Sequence, residues 1–195
     1  MKRISIVRAA APLIALVIVA EAASAQATNW LDRPLQNWNK AGGAVPQGAA
    51  GTSARDDAIE RCKMKPPETA NGRAVAAAGW VPQLHLDREL IKGDVEIIGA
   101  VSGLDAMCAP MIYNVYVFVG GRYAGALSPQ VMAPGTDASA GAVRFSDDGI
   151  TVEFARYKTG DSTCCPTSRM AVRYRIDRSG GGPVVVPVDV RTTRS

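Results

Sequence analysis

The hydrophobic and polar positions of this chain change period along its length, and one stretch is apolar in both registers. Over residues 111–119 one alternating set is Met111, Tyr113, Val115, Val117 and Val119; the other holds Ile112, Tyr116 and Phe118. A strand apolar on both sides is covered on both sides, so these residues predict the central strand of the fold. Gly120-Gly121 supplies the positive φ values of a two-residue hairpin turn. That turn predicts Phe118 opposite Tyr123, and Tyr116 opposite Gly125, where the ring would cover bare backbone.

Period-two alternation recurs on both sides of this hairpin. Residues 80–90 read as a strand, with Leu84 and Leu86 on one side. Residues 94–101 read as another, alternating Val95, Ile97, Gly99 and Val101, and residues 102–110 form a loop carrying Cys108. A second hairpin over 142–157 turns at Asp148-Gly149. Its register places Val143 opposite Phe154, Phe145 opposite Val152 and Arg144 opposite Glu153, one face apolar and the other charged. In 168–177, Met170, Val172, Tyr174 and Ile176 face inward, while Arg173, Arg175 and Asp177 face outward. Gly180-Gly181-Gly182 turns the chain into a last strand over 183–190, which Pro183 and Pro187 confine to a sheet edge.

Upstream, the period is helical. Residues 54–63 predict one short helix with Ser53 as N-cap, Asp56 and Asp57 at its positive end, and Pro66-Pro67 as the stop. Residues 72–78 hold another turn or two. The chain shows no strand–helix–strand alternation, which argues against a parallel nucleotide-binding sheet. The pattern predicts a mainly β (α+β) fold, an antiparallel β-meander of about six to eight strands with a small helical N-terminal part. Residues 54–195 form one domain; residues 26–53 form a tryptophan-containing strap and a Gly/Ala-rich linker.

The strap, 30–39, reads W-L-D-R-P-L-Q-N-W-N. We read Trp30 and Trp38 as rings packed onto the sheet, ahead of the alternative that they form a ligand or partner surface.

Residues 1–25 read as a cleavable signal peptide. Lys2, Arg3 and Arg8 precede an apolar core over 9–20, and Ala23-Ser24-Ala25 is an A-x-A cleavage site. Cleavage after Ala25 leaves a mature chain beginning at Gln26, periplasmic or secreted. No later segment is long and apolar enough to span a bilayer, so no stable membrane anchor is expected. Without Lys2, Arg3, Arg8 and Glu21, the 22 basic and 18 acidic residues become 19 and 17. So small an excess does not point to nucleic acid.

All four cysteines, Cys62, Cys108, Cys164 and Cys165, lie in the mature chain, and an even count outside the cytoplasm favours disulfides. Neighbours on an extended chain point to opposite sides, and Pro166 pushes Cys165 toward an extended conformation. Cys164 and Cys165 are therefore expected to reach different partners, Cys62 and Cys108, in an order left open. The rival reading gives Cys164-Cys165 and nearby methionines a soft-metal role toward copper. C-C-P is not a C-x-x-C ligand pair, and we rank that reading below structural disulfides.

Catalytic constellations are absent. The one histidine, His85, lacks the nucleophile and orienting acid a triad requires, and no G-x-S-x-G, S-x-x-K or H-E-x-x-H occurs. No catalytic residue, metal or cofactor is assigned. An outer row of Arg144, Arg173, Arg175 and Arg156 could meet an anionic envelope polymer; we rank a solvated, locally paired face ahead of it.

Several strings together resemble one family: W-L-D-R-P-L-Q-N-W-N (30–39), A-A-A-G-W (76–80), Y-N-V-Y-V-F-V-G-G-R-Y-A-G-A-L-S-P (113–129), F-A-R-Y (154–157), C-C-P-T-S (164–168) and V-R-Y-R-I-D (172–177). In this order they resemble the LppP/LprE-type lipoproteins, exported bacterial proteins, across nearly the whole mature chain. The resemblance implies an envelope location and carries over no catalytic residue. The lipid-bearing cysteine of a lipoprotein is absent; Gln26 stands there. The sequence thus predicts an exported, non-catalytic envelope domain whose partner is an unidentified envelope component or protein. Its rivals are a periplasmic enzyme with a carboxylate/arginine site and a thiol or copper handler.

Overall fold

A computed structural model describes residues 29–48, 52–82 and 90–194. The signal peptide, most of the strand expected over 80–90, and His85 lie outside the described residues. After a short 3-10 turn at Trp30–Asp32 come helices α1 (Thr52–Arg61) and α2 (Ala70–Ala77). The strands follow: β1 (Val81–Pro82), β2 (Ile91–Lys92), β3 (Val95–Leu104), β4 (Pro110–Val119), β5 (Arg122–Ala126), β6 (Ala140–Ser146), β7 (Gly149–Arg156), β8 (Ser168–Asp177) and β9 (Val184–Arg194). The first sheet runs β1-β3-β4-β5, with β2 also on β3; the second is a meander, β6-β7-β8-β9. All pairings are antiparallel. The fold is mainly β with a small helical part, as the sequence predicts.

β4 is covered on both faces. Val115, Val117 and Val119 join Val95 and Ile97 of β3 against Ile150, Val152, Phe154, Val172 and Tyr174 of the second sheet. On the opposite face Tyr116 and Phe118 pack with Ile98, Ala100, Trp80, Val75 of α2 and its C-cap residue Ala78. The layers are therefore helices, sheet, sheet. Full burial of each large side chain contributes about 2 kcal/mol, so the core between the sheets dominates the stability.

α2 starts where Thr69 accepts a hydrogen bond from Gly72 N at 2.9 Å, a side-chain N-cap. α1 begins earlier than expected, which places Ser53 inside the helix rather than at its cap. β9 is the outer strand of its sheet, and Pro187 sits at a register shift opposite Tyr174, the edge position its missing N–H requires.

Two registers differ from expectation. In β4–β5, Phe118 faces Tyr123 as predicted, but a bulge between Val117 and Phe118 places Tyr116 opposite Ala126, with Gly125 opposite Val117. In β6–β7, Ser146 pairs with Gly149, so Asp147-Asp148 forms the turn. Val143 then faces Val152, and Arg144 faces Thr151. The shift is two residues, so each side chain keeps its face. Gly149 serves packing and not the turn: a Cβ there would overlap the Tyr174 carbonyl oxygen of β8.

Asp94, between β2 and β3, accepts two hydrogen bonds from Arg178 at the end of β8, 2.7 and 2.9 Å long. They tie one sheet to the other. The Arg178 guanidinium holds the Asp94 carboxyl below the usual carboxylate range. Hydrogen bonds from Ser179 do the same for Asp177. A depressed folded pKa contributes stability that is present above the unfolded value, about 4. It is lost as pH falls through the folded value. Urea midpoints are therefore expected to stay flat from pH 7 to 5 and to fall below about pH 4, with a shallower fall in Asp94→Asn. Midpoints that rise on acidification would contradict this linkage.

Candidate functional site

The strap closes the side of the molecule where the outer strands β5 and β9 approach each other. Trp30 meets Trp38 edge-on at 5.2 Å and Phe154 at 5.1 Å; Trp38 meets Tyr174 at 6.3 Å. Both rings pack against the core between the sheets. The start of the strap is pinned by polar groups. Asn29 donates to Asp137 at 2.6 Å, and Arg156 bridges Asp137 and Asp32 at 3.0 and 2.7 Å. Arg156 is thus part of the strap's anchor and not of an outer arginine row.

The end of the strap is held by Asn39. Its Nδ2 donates to Ala126 O at 3.0 Å and to Val185 O at 2.9 Å, and its Oδ1 accepts from Ala126 N at 2.9 Å. One amide therefore joins β5 to β9 and satisfies polar backbone at both sheet edges. Gly125 makes this possible. Its φ is +139°, and a Cβ there would overlap the Asn39 amide. Trp38 Nε1 adds a bond to Ala126 O at 2.9 Å. The next residues are held to the end of α2 and the residues before β1: Trp80 Nε1 donates to Pro46 O at 2.7 Å, and Gly48 N to Ala78 O at 2.8 Å.

Between this segment and the helical-side face of the first sheet lies a cleft of about 350 Å³. Trp38, Trp80, Tyr116 and Tyr123 line it together with Asn39, Lys40, Gln47, Asn114 and Ser128. This volume and mixture, aromatic walls with a few polar groups, fall in the range of small-molecule clefts. Most polar groups are committed to the fold: Asn114 Oδ1 accepts from Val115 N at 2.8 Å, and Ser128 Oγ donates to Gln130 O at 2.7 Å. Tyr116 differs. It is fully buried, and among the described residues its hydroxyl has no hydrogen-bond partner. Burial, with Tyr123 beside it, pushes that hydroxyl far above the ordinary phenol range; burial raises Tyr123 to about 12. Both phenols stay protonated at neutral pH and act as neutral hydrogen-bonding groups. Among the described residues no carboxylate lines this cleft.

The arginines of the predicted outer row are placed individually. Arg144 meets Glu153 at 3.0 Å, Arg173 meets Asp148 at 2.7 Å, and Arg175 meets Asp177 at 3.7 Å. Exposed pairs of this kind contribute at most about 1 kcal/mol each. They leave the row locally neutralised.

The cysteine pairing corrects the expectation. Cys62 at the end of α1 is bonded to Cys108, Cα atoms 5.6 Å apart, and Cys164 is bonded to its neighbour Cys165. The expectation assumed an extended chain. Instead Cys165 N donates to Ser162 O at 2.9 Å, a turn that lets adjacent side chains meet. Among the described residues no group of three or more His, Cys, Asp or Glu side chains is placed to hold a metal ion.

Sequence reasoning missed Asn39, Asn114, Tyr116 as a polar group, and the Asp137–Arg156 anchor. Gly125 was the available signal for Asn39, since a glycine inside a strand marks close approach of another group.

The class these observations define is a two-sheet, strap-tied β domain with a disulfide at its helical end and an aromatic cleft. Residues 97–179 match the family model of the LppP/LprE lipoproteins. Over that stretch, β3 through β8, the chain is similar to that family, in line with the resemblance its motifs carry. No curated protein and no solved structure matches the chain. The family supports an exported envelope protein, and the Cys62–Cys108 bond is compatible with a location outside the cytoplasm. Among the described residues no helix is long and apolar enough to cross a membrane.

Proposed function

We propose that the chain is an exported, non-catalytic envelope domain that binds a small ligand in the cleft beneath the strap. The mature form begins at Gln26 and carries no lipid anchor at that residue. The observation that carries the binding reading is the unpartnered hydroxyl of Tyr116 on a buried wall of the cleft. A buried polar atom left unpaired costs about 1–3 kcal/mol, and a ligand that supplies its partner recovers that cost on binding. The aromatic rings suit a flat or ring-shaped apolar moiety, and Lys40 at the cleft suits a weakly anionic substituent.

The test is a protein-observed NMR titration of the mature domain with indole, phenol and N-acetylglucosamine as probes. Saturable shifts confined to Trp38, Trp80, Tyr123 and their neighbours are expected, weaker in Tyr116→Phe. A cleft silent to all three probes would remove the reading. Tyr116→Phe also has an expected effect without ligand. Deleting an unpaired hydroxyl should leave the melting temperature unchanged or raise stability by about 1 kcal/mol. A clear loss in thermal melts would mean that the hydroxyl already has a partner.

A further inference from the structure

The two disulfides differ in what they can do for the fold. Cys62–Cys108 joins residues 46 apart in sequence. Its Cys62 end packs beside Val81, Val101 and Leu104. Cys164–Cys165 joins neighbours, so it closes no length of chain, and loop-closure entropy gives it no stabilising role. Both of its residues are exposed. The loop around it is held by bonds that do not involve sulfur. Asp161 accepts from Lys158 N at 2.9 Å, from Thr167 N at 2.8 Å and from Thr167 Oγ1 at 2.7 Å, and Tyr157 OH donates to Thr163 O at 2.7 Å. The sulfur–sulfur bond can therefore open while the loop keeps its path.

We propose that Cys164–Cys165 is a redox site, a two-electron dithiol–disulfide couple that accepts electrons from an exported dithiol. One thiolate of the reductant attacks Cys165 Sγ, forms a mixed disulfide there, and releases Cys164 as the thiolate. The reductant's second thiolate attacks its own sulfur in that mixed disulfide and releases Cys165. Two electrons and two protons pass to the pair, and the reductant leaves as its disulfide. The order of attack follows from Ser162, whose Oγ lies 3.0 Å from Cys164 Sγ. A hydroxyl hydrogen bond to sulfur stabilises the thiolate that leaves.

The experiment titrates folded, oxidised mature protein with dithiothreitol, with alkylation and peptide mass spectrometry at each step and thermal melts alongside. Cys164–Cys165 is expected to open at a reductant concentration at least tenfold below that which opens Cys62–Cys108, with the melting temperature unchanged. Opening of both bonds together, or of Cys164–Cys165 only with unfolding, would overturn the proposal. A brief pulse of glutathione identifies the sulfur attacked. Adduct on Cys165, lost in favour of mixed positions in Ser162→Ala, supports the assigned order; adduct on Cys164 in the wild-type protein overturns that order. Purified protein with Cys164 and Cys165 bonded to Cys62 and Cys108 would overturn the site itself.

Discussion

Asn39→Ala is expected to destabilise the protein by about 3 kcal/mol, from three hydrogen bonds at about 1 kcal/mol each. The bonds run to Ala126 N, Ala126 O and Val185 O. Their loss also leaves Ala126 N and Val185 O without their side-chain partner, while Ala126 O keeps Trp38 Nε1. Asn39→Asp separates the contributions. A carboxylate still accepts from Ala126 N, but its second oxygen faces the carbonyls of Ala126 and Val185 and repels them, so the loss should match or exceed that of Asn39→Ala. Gly125→Ala is expected to be damaging as well, because the new methyl group would occupy the space of the Asn39 amide and φ is +139°. The two changes are coupled: in the double variant Asn39→Ala, Gly125→Ala the overlap is gone, and the total should fall short of the sum of the singles. Urea denaturation of the four proteins measures this. A cost below about 1 kcal/mol for Asn39→Ala would show that the tryptophan rings and the Asn29–Asp137–Arg156 anchor hold the strap without it.

That coupling shows where sequence reasoning reached and where it stopped. Alternation revealed the strands because a half-buried sheet imposes a period of two, and the doubly apolar run of β4 announced cover on both faces. The strap was legible as aromatic packing, since Trp30 and Trp38 had to bury their area somewhere. Asn39 was not legible, because an asparagine in a polar string gives no sign that its amide will meet two separate strands. Gly125 did mark a close approach, but the bulge at Val117 and Phe118 moved Tyr116 out of register with it, and a single extra residue leaves no periodic trace. The β6–β7 turn was misplaced for a related reason. Asp148-Gly149 is a strong turn signal, yet Gly149 answers to the Tyr174 carbonyl packed against it. The cysteine pairing failed on local conformation: the argument held for a strand, and residues 162–165 form a turn. The cleft could not be read at all, since Tyr116 is defined by what it fails to touch.

Removal of the Cys62–Cys108 bond by Cys62→Ser, Cys108→Ser is expected to cost about 4 kcal/mol, the chain-entropy value for a closed loop of this length. Against a total stability of about 5–15 kcal/mol, that is a large share. The folded state should nevertheless keep its shape. Arg61, beside Cys62, donates to Asp105 O at 2.9 Å and to Ala106 O at 3.2 Å, and Asp105 Oδ1 accepts from Met107 N and Ala109 N at 2.9 and 2.8 Å. These bonds hold the loop to α1 without the sulfurs, so the effect falls on the unfolded chain, which gains freedom when the link is cut. The matching variant Cys164→Ser, Cys165→Ser should cost almost nothing, because its link constrains no loop. Guanidinium titrations of the two double variants, with near-ultraviolet circular dichroism as the check on folded packing, measure the contrast. Equal losses in both would mean that each of Cys164 and Cys165 reaches across the fold to Cys62 or Cys108. In that case the adjacent pair would be a staple and not a reactive couple.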